Sequence, residues 1–419
     1  MASRLFVDIT PLRRFPQYRR LWFGYALRQF GAQLTTVTVV FQIYRITHSN
    51  LAVGLISAAQ VGPGIIAPLF GGAIADAVDR RKLLMVTAIL IGLSTTCLAV
   101  NCIGNHPALW VLYVMSAFTW GMNGIDGPTR QAVQMTLVDR DSIVSANALR
   151  QLLTQTSSVA GPALAGVLIS VFIRNLDIVY WIDVASALWA LQVLFRLPPM
   201  QPVGGGRKFG FSSIGEGFAF LKGRRVIQAC FITDINATLL GLPTALFPYM
   251  AYQHFHGGAK TYGLLMSAPG LGAFIGSLLS GWTSHVRFQG RAVMIAVCIW
   301  GFAIVGFGLA PWLIVGIGCL AIAGAADVGS ATLRNSIIQT ETPDALRGRL
   351  SSLQSASVQT GKLGNAEAGL VAALTNAKFS IVSGGLGCVV GVLLIAKFVP
   401  NFARYQLSET RDAQEAARA

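Results

Sequence analysis

Apolar runs of about eighteen residues or more recur along almost the whole chain, parted by short polar breaks. Each run is long enough to cross ~30 Å of hydrocarbon as an α-helix, which satisfies its own backbone hydrogen bonds where there is no water. Only 12% of the 419 residues are charged, against about 25% in soluble domains. The net charge of +15 is therefore read as topogenic, because basic residues collect in the cytoplasmic loops of inserted proteins. No aromatic-interleaved basic patch accompanies them, so nucleic acid is not an expected partner. The six cysteines all fall inside apolar spans without a CxxC or zinc-like spacing, and the five histidines form no ligand set. No metal or cofactor is implied.

The spacing predicts an all-α membrane protein of twelve transmembrane helices over 21–46, 51–76, 82–104, 107–136, 143–173, 178–196, 226–253, 261–285, 291–310, 312–340, 346–376 and 379–399. The opening segment, residues 1–20, reads as a basic cytoplasmic arm rather than a signal peptide. Outer loops hold only Arg45, Arg174, Lys260 and Lys378, which places both termini inside. One long interruption, 197–225, divides a first bundle (21–196) from a second (226–399), with a cytoplasmic tail at 400–419. In that linker "FSSIGEGFAFLKGRR" has the pattern of an amphipathic helix on the inner surface.

The two halves repeat. An offset of 209 superposes Gly54 on Gly263, Gly72 on Gly281 and Lys82 on Arg291. An offset of 204 pairs Arg130 with Arg334 and Leu149 with Leu353. Parallel six-helix halves about an axis along the membrane normal describe transporters whose site lies near the midplane.

Five charges crowd the break between the second and third spans: Asp76, Asp79, Arg80, Arg81 and Lys82. Together with Gly72 they resemble the loop 2-3 signature of the major facilitator superfamily, in which a Gly is followed four residues later by Asp and then by Gly and two cations. Asp79 stands where that family has Gly. The resemblance implies a conformational gate, with Asp76 locking the halves on the cytoplasmic side. In the fifth span, Gly161, Pro162 and Gly166 resemble the family's antiporter motif, with Ala165 replacing one Gly. Stretches such as "FITDINATLLGLPTALFPYMA" and "GNAEAGLVAAL" are similar to the enterobactin exporter branch, which shares its wider group with macrolide and multidrug efflux pumps. The resemblance implies a major facilitator fold of two pseudo-symmetric bundles and a monomer in the cell membrane. It also implies export of a small organic molecule against protons.

Nine ionisable residues lie well inside the spans: Arg28, Asp126, Arg130, Asp183, Asp234, Asp327, Arg334, Lys362 and Glu367. A charge in the membrane costs several kcal/mol unless paired or hydrated, so each is a functional candidate. Six of them fall on helices 1, 4, 7 and 10, which in the family line the cavity. Asp126 and Arg130 share a helical face at i, i+4. At 1.5 Å per residue Asp126 lies ~16 Å from the loop at Leu137, close to the midplane. Arg28 and Asp234 sit at matching depths, and two outcomes stay open: that they meet across the cavity, or that each is satisfied within its own half. For proton coupling the order of expectation is Asp126, Asp234, Asp327, Glu367. Asp183 and Lys362 read as structural. Trp22, Phe23, Tyr25, Phe30, Trp120, Phe247 and Tyr249 lie near the same helices and suit packing, the interface belt or a bulky cargo.

The sequence thus points to a proton-coupled exporter of an enterobactin-type siderophore, with multidrug or macrolide efflux as the alternative and nutrient import behind it. No phosphate-binding loop or catalytic constellation supports an ATP-driven pump or an enzyme.

Overall fold

The computed structural model describes residues 8–104, 107–200, 220–241, 243–343, 350, 353–354, 357–359 and 361–406. The side chains at 69, 70, 72, 73, 75, 76, 282, 284 and 285 lie outside that description. The chain is helical: a short Thr10–Arg14 turn leads into α1 (Pro16–Thr47), α2 (Asn50–Ala77), α3 (Arg80–Ile103), α4 (Leu109–Leu137), α5 (Ile143–Val171) and α6 (Asp177–Phe195). After the linker follow α7 (Arg225–Leu240), α8 (Gly258–Leu279), α9 (Gln289–Leu309), α10 (Leu313–Glu341), α11 (Leu363–Leu374) and α12 (Ala377–Phe398). Among the described residues nine segments are long and apolar enough to cross a membrane. Helices α1 and α4 are less apolar because polar side chains are mixed into them, Arg28 with Gln29, Gln33 and Thr35 on one and Asn123, Asp126 and Arg130 on the other.

Helix ends follow local chemistry. Helix α1 begins at Pro16, earlier than the apolar run predicts, because proline is preorganised for the first turn and lacks an amide to satisfy. Span 7 does not run through as one helix. Helix α7 stops at Leu240, and the chain continues through a 3₁₀ turn (Thr244–Leu246), Phe247–Tyr249 and a π-helical turn (Met250–His254). Gly241 and Pro243 account for the break, since proline removes an amide and clashes with the preceding turn. The expected amphipathic linker helix falls mostly on residues outside the described set.

The chain divides into two compact units. The first is Met1–His48, Ala59–Phe209 and Gly258–Ser267; the second is Ser49–Ala58, Gly210–Gly257 and Ala268–Ala419. In the first unit α6 packs on α1 and α3, and α3 on α4. In the second, α12 packs on α7 and α9, and α9 on α10. These are the same pairings displaced by six helices, so the repeat read in the sequence reappears in the packing within each unit.

Side chains are distributed inside out relative to a soluble protein. Leu93, Val100, Leu278, Phe302, Ile314 and Leu393 are exposed, as suits lipid, while Arg28, Asp126, Arg130, Asp183, Asp234 and Arg334 are buried. The hub of the first unit is Asp183 on α6, 1% exposed. Its Oδ1 accepts from Arg28 Nη1 of α1 at 3.0 Å and from the Ser186 hydroxyl at 3.0 Å. Its Oδ2 accepts from Thr35 at 2.6 Å and from Thr95 of α3 at 3.4 Å. Gly31 lies against this cluster, where a β-carbon would collide with Ser186 and Asp183. One carboxylate therefore ties α1, α3 and α6.

Removing one partner of a buried pair strands the other charge. Asp183→Leu should lower unfolding stability by about 3–5 kcal/mol, and adding Arg28→Met should recover most of it. Thermal and denaturant unfolding of the purified protein in lipid-detergent micelles checks both; equal losses in the single and double variants would contradict the hub.

Candidate transport site

Helix α4 places Asp126 and Arg130 one turn apart, and the pair is bidentate: Arg130 Nε donates to Oδ2 and Nη2 to Oδ1, both at 2.9 Å. Thr87 of α3 donates to the same Oδ1 at 3.2 Å. The guanidinium also lies 5.0 Å from the centroid of the Tyr25 ring on α1, within cation–π range. In the second unit Arg334 of α10 donates through Nη2 to Asp234 Oδ1 of α7 at 2.6 Å. Its Nη1 donates to the Ser330 hydroxyl at 2.8 Å, and Ser357 donates to Asp234 Oδ2 at 3.1 Å.

The two arginines are repeat partners, and in both halves Arg bonds the residue four positions earlier, Asp126 in one and Ser330 in the other. What differs is the source of the neutralising acid. In the first half it comes from the arginine's own helix; in the second it comes from α7. Arg28 and Asp234 realise the second of their two expected outcomes in this structure: Arg28 bonds Asp183, and Asp234 bonds Arg334.

Asp327 and Glu367 make no hydrogen bond or ion pair among the described residues. Asp327 lines a cavity of about 180 Å³ within the second unit, together with Pro269, Gly270, Ala273, Trp300, Ala323 and Gly324. Glu367 is half-buried on α11. Lys362 directly precedes α11.

The loop 2-3 cluster has a defined geometry in its second part. Gly72 and Asp76, whose side chains lie outside the described residues, carry the gate expectation no further. Asp79 caps α3, accepting from the amides of Arg81 at 2.8 Å and Lys82 at 3.3 Å. The same oxygen accepts from the Met200 amide at 3.3 Å, and the Arg80 amide donates to the Met200 carbonyl at 3.1 Å. Arg81 donates to the carbonyls of Leu194 at 3.0 Å and Phe195 at 2.7 Å at the end of α6, the first of which also accepts from the Leu197 amide at 3.2 Å. An Asp in place of the family's Gly thus binds the loop to the start of the linker.

The antiporter-like motif lies at a close helix crossing within the first unit. A β-carbon on Gly263 of α8 would lie 2.6 Å from the Pro162 carbonyl oxygen and 2.7 Å from Gly166 Cα. One on Gly166 would lie 2.8 Å from the Ala259 carbonyl oxygen. The second unit holds the counterpart, where α2 crosses α11. A β-carbon on Gly369 would lie 2.6 Å from the Asn50 carbonyl oxygen, and one on Gly54 would meet Asn365 and Ala366. Asn50 and Gly54 match Ala259 and Gly263 at the same offset of 209. On α11 the crossing is made by "GNAEAG", Gly364 to Gly369, which matches "GPALAG", Gly161 to Gly166, in four of six positions at an offset of 203. That second copy of the motif was missed in the sequence reading, although the six-residue match was available to find it. Asn365, in the place of Pro162, accepts from the Thr244 hydroxyl at 2.9 Å and the Ala245 amide at 3.1 Å. It thereby caps the chain just past the α7 break.

Residues 7–417 match the family model of transmembrane secretion effectors. The chain is 27% identical over 395 residues to the enterobactin exporter EntS of Shigella boydii serotype 18, covering 94% of each chain. It is also 27% identical, with the same coverage, to the EntS of Escherichia coli O139:H28. Among solved structures, a nucleoside transporter NupG variant superposes with a TM-score of 0.76 at 12% identity, covering 91% of this chain and 100% of that one. A bacterial homologue of the iron transporter ferroportin in an inward-facing state gives 0.68 at 16% identity, covering 91% and 98%. A D-xylose–proton symporter gives 0.67 at 15% identity, covering 95% and 99%. These structural likenesses show the fold.

The duplicated crossings carry a direct expectation. Gly263→Ala and Gly54→Ala should each cost about 1–3 kcal/mol of unfolding stability by overpacking. Gly62→Ala, on the same α2 but with open space around it, should cost well under 1 kcal/mol. Comparing the unfolding midpoints of the three purified variants checks this.

Proposed function

We propose a substrate and an energy source for a chain that belongs to the transmembrane secretion effector family of the major facilitator superfamily and is a multi-pass membrane transporter. It exports a siderophore of the enterobactin type from the cytoplasm, exchanging it for protons by alternating access. The observation that carries the substrate is the 27% identity to enterobactin exporters, which runs over 94% of both chains rather than over one motif. Proton coupling is supported by the buried carboxylates in the helices, because a group that changes charge inside hydrocarbon can make transport of one species depend on another. With both termini on the cytoplasmic side, as the distribution of Lys and Arg indicates, the basic loops anchor the inner face.

The chain's own groups divide the work. Paired arginines and aspartates supply buried polar groups within each unit, on α4 in the first and between α7 and α10 in the second. The α7 break and its π turn supply a segment with less regular hydrogen bonding, the kind of interruption that transporters place beside their site. Multidrug or macrolide efflux is the second reading, and the test separates it.

Purified protein in proteoliposomes, offered enterobactin on the side equivalent to the cytoplasm, should concentrate it when the opposite side is made acidic. One pH unit supplies about 1.4 kcal/mol per proton, an about tenfold concentration ratio for one-for-one exchange. A protonophore should abolish the accumulation. Movement of a macrolide but not of enterobactin would replace the siderophore reading with the efflux one.

A further inference from the structure

Three of the acids in the helices are already committed. Asp126 is bidentate to Arg130, Asp183 bonds Arg28, and Asp234 bonds Arg334. A carboxylate in such a pair accepts a proton only if its arginine leaves, and a separated buried arginine is costly. Of the four acids expected to serve proton coupling, Asp327 and Glu367 have no partner among the described residues, and only Asp327 lines the cavity on α10.

That cavity offers an ionised carboxylate almost nothing. Pro269, Gly270 and Ala273 come from α8, Trp300 from α9, and Ala323 and Gly324 from Asp327's own helix. The one polar side-chain group in this wall, the Trp300 N–H, is already donated to the Gly241 carbonyl at 2.9 Å. No titratable side chain from α8 or α9 lines it. The charged groups whose field reaches Asp327 are Arg334, two turns along the same helix, and Asp234 of α7. These two are bonded to each other at 2.6 Å, so the influence of Asp234 at Asp327 opposes that of Arg334. At about 180 Å³ the space has room for water hydrogen-bonded to the Asp327 carboxyl.

We infer that Asp327, rather than the arginine-bonded Asp126 or Asp234, is the carboxyl that takes up and releases the coupled proton. The inference rests on the proton-driven reading above and names its site. The step is a simple proton transfer: a water in the cavity takes a proton from hydronium of the acidic solution and passes one on to the carboxylate, giving the neutral acid and an unchanged water, and the reverse restores the charge. Trp300 connects this change to the fold, because it forms part of the cavity wall and also holds the carbonyl of Gly241, where α7 ends. Neutralising Asp327 alters the charge beside the residue that secures the α7 break.

The test is infrared spectroscopy of the full chain in lipid nanodiscs during a pH titration. A carboxylic acid in an apolar cavity absorbs apart from water-exposed acids, and the wild type should show one such band that disappears as the pH is raised. Asp327→Asn should remove the band, and Asp327→Glu should retain it at a displaced position. In proteoliposomes, Asp327→Asn should also lose the accumulation driven by one pH unit, an about tenfold loss. Persistence of the band in Asp327→Asn, or its disappearance in Glu367→Gln or Asp126→Asn instead, overturns the assignment. Should the wild type not move enterobactin at all, the substrate reading fails, while the infrared band still decides the role of Asp327.

Discussion

Charge inside hydrocarbon must be neutralised, and this requirement organises the molecule. Each of the three buried arginines holds an aspartate, yet each pair is built differently: Arg28 reaches Asp183 from α1 to α6, Arg130 folds back on Asp126 within α4, and Arg334 takes Asp234 from α7. The differences have consequences. A pair between two helices fixes their relative rotation, whereas a pair within one helix leaves its neighbours free to slide. Asp183 with its four donors is therefore the rigid point of the first unit, and Asp126 with Arg130 is a polar patch built on α4 that Thr87 of α3 and the Tyr25 ring of α1 touch.

Duplication followed by divergence is visible at the level of single side chains. Arg130 and Arg334 are in register, but the acid comes from the same helix in one half and from α7 in the other, where Ser330 stands in the place of Asp126. Likewise the six-residue glycine motif is present on α5 and α11, with proline in one copy and asparagine in the other. The asparagine gained a use that proline could not have had, because its amide oxygen caps the interrupted chain after α7. The corresponding stretch of α1 runs unbroken from Pro16 to Thr47 and needs no such cap. Asymmetry between the halves is thus concentrated around α7, α10 and α11, where the unpaired carboxyl and the cavity also lie.

Loop 2-3 shows how a departure from a family pattern can be functional. Glycine would give the turn its freedom; Asp79 gives it an oxygen shared among three amides, two at the head of α3 and one at the start of the linker. Arg81 adds the carbonyl end of α6. The burst of charge is accordingly a clasp for helix ends.

The all-α, many-span pattern, the repeat, the identity of the buried charges and the family were all legible in the sequence, because hydrophobic length, spacing and residue type are local properties that one dimension records. The α7 break was legible too, in Gly241 and Pro243, but the long apolar run concealed it. Partner choice was legible within one helix, as for Asp126 and Arg130 at i, i+4, but not between helices. Asp126 ranked first for proton exchange because it lay at the right depth beside a cation, yet that cation binds it with two hydrogen bonds, and Asp183, read as structural, is the residue that claims Arg28. Depth follows from counting residues at 1.5 Å each, but azimuth and helix-to-helix distance follow only from packing. Tertiary structure alone therefore decided which acids are paired and which one faces a cavity, since a side chain's partner is set by what another helix, a hundred residues or more away in the chain, brings within 3 Å.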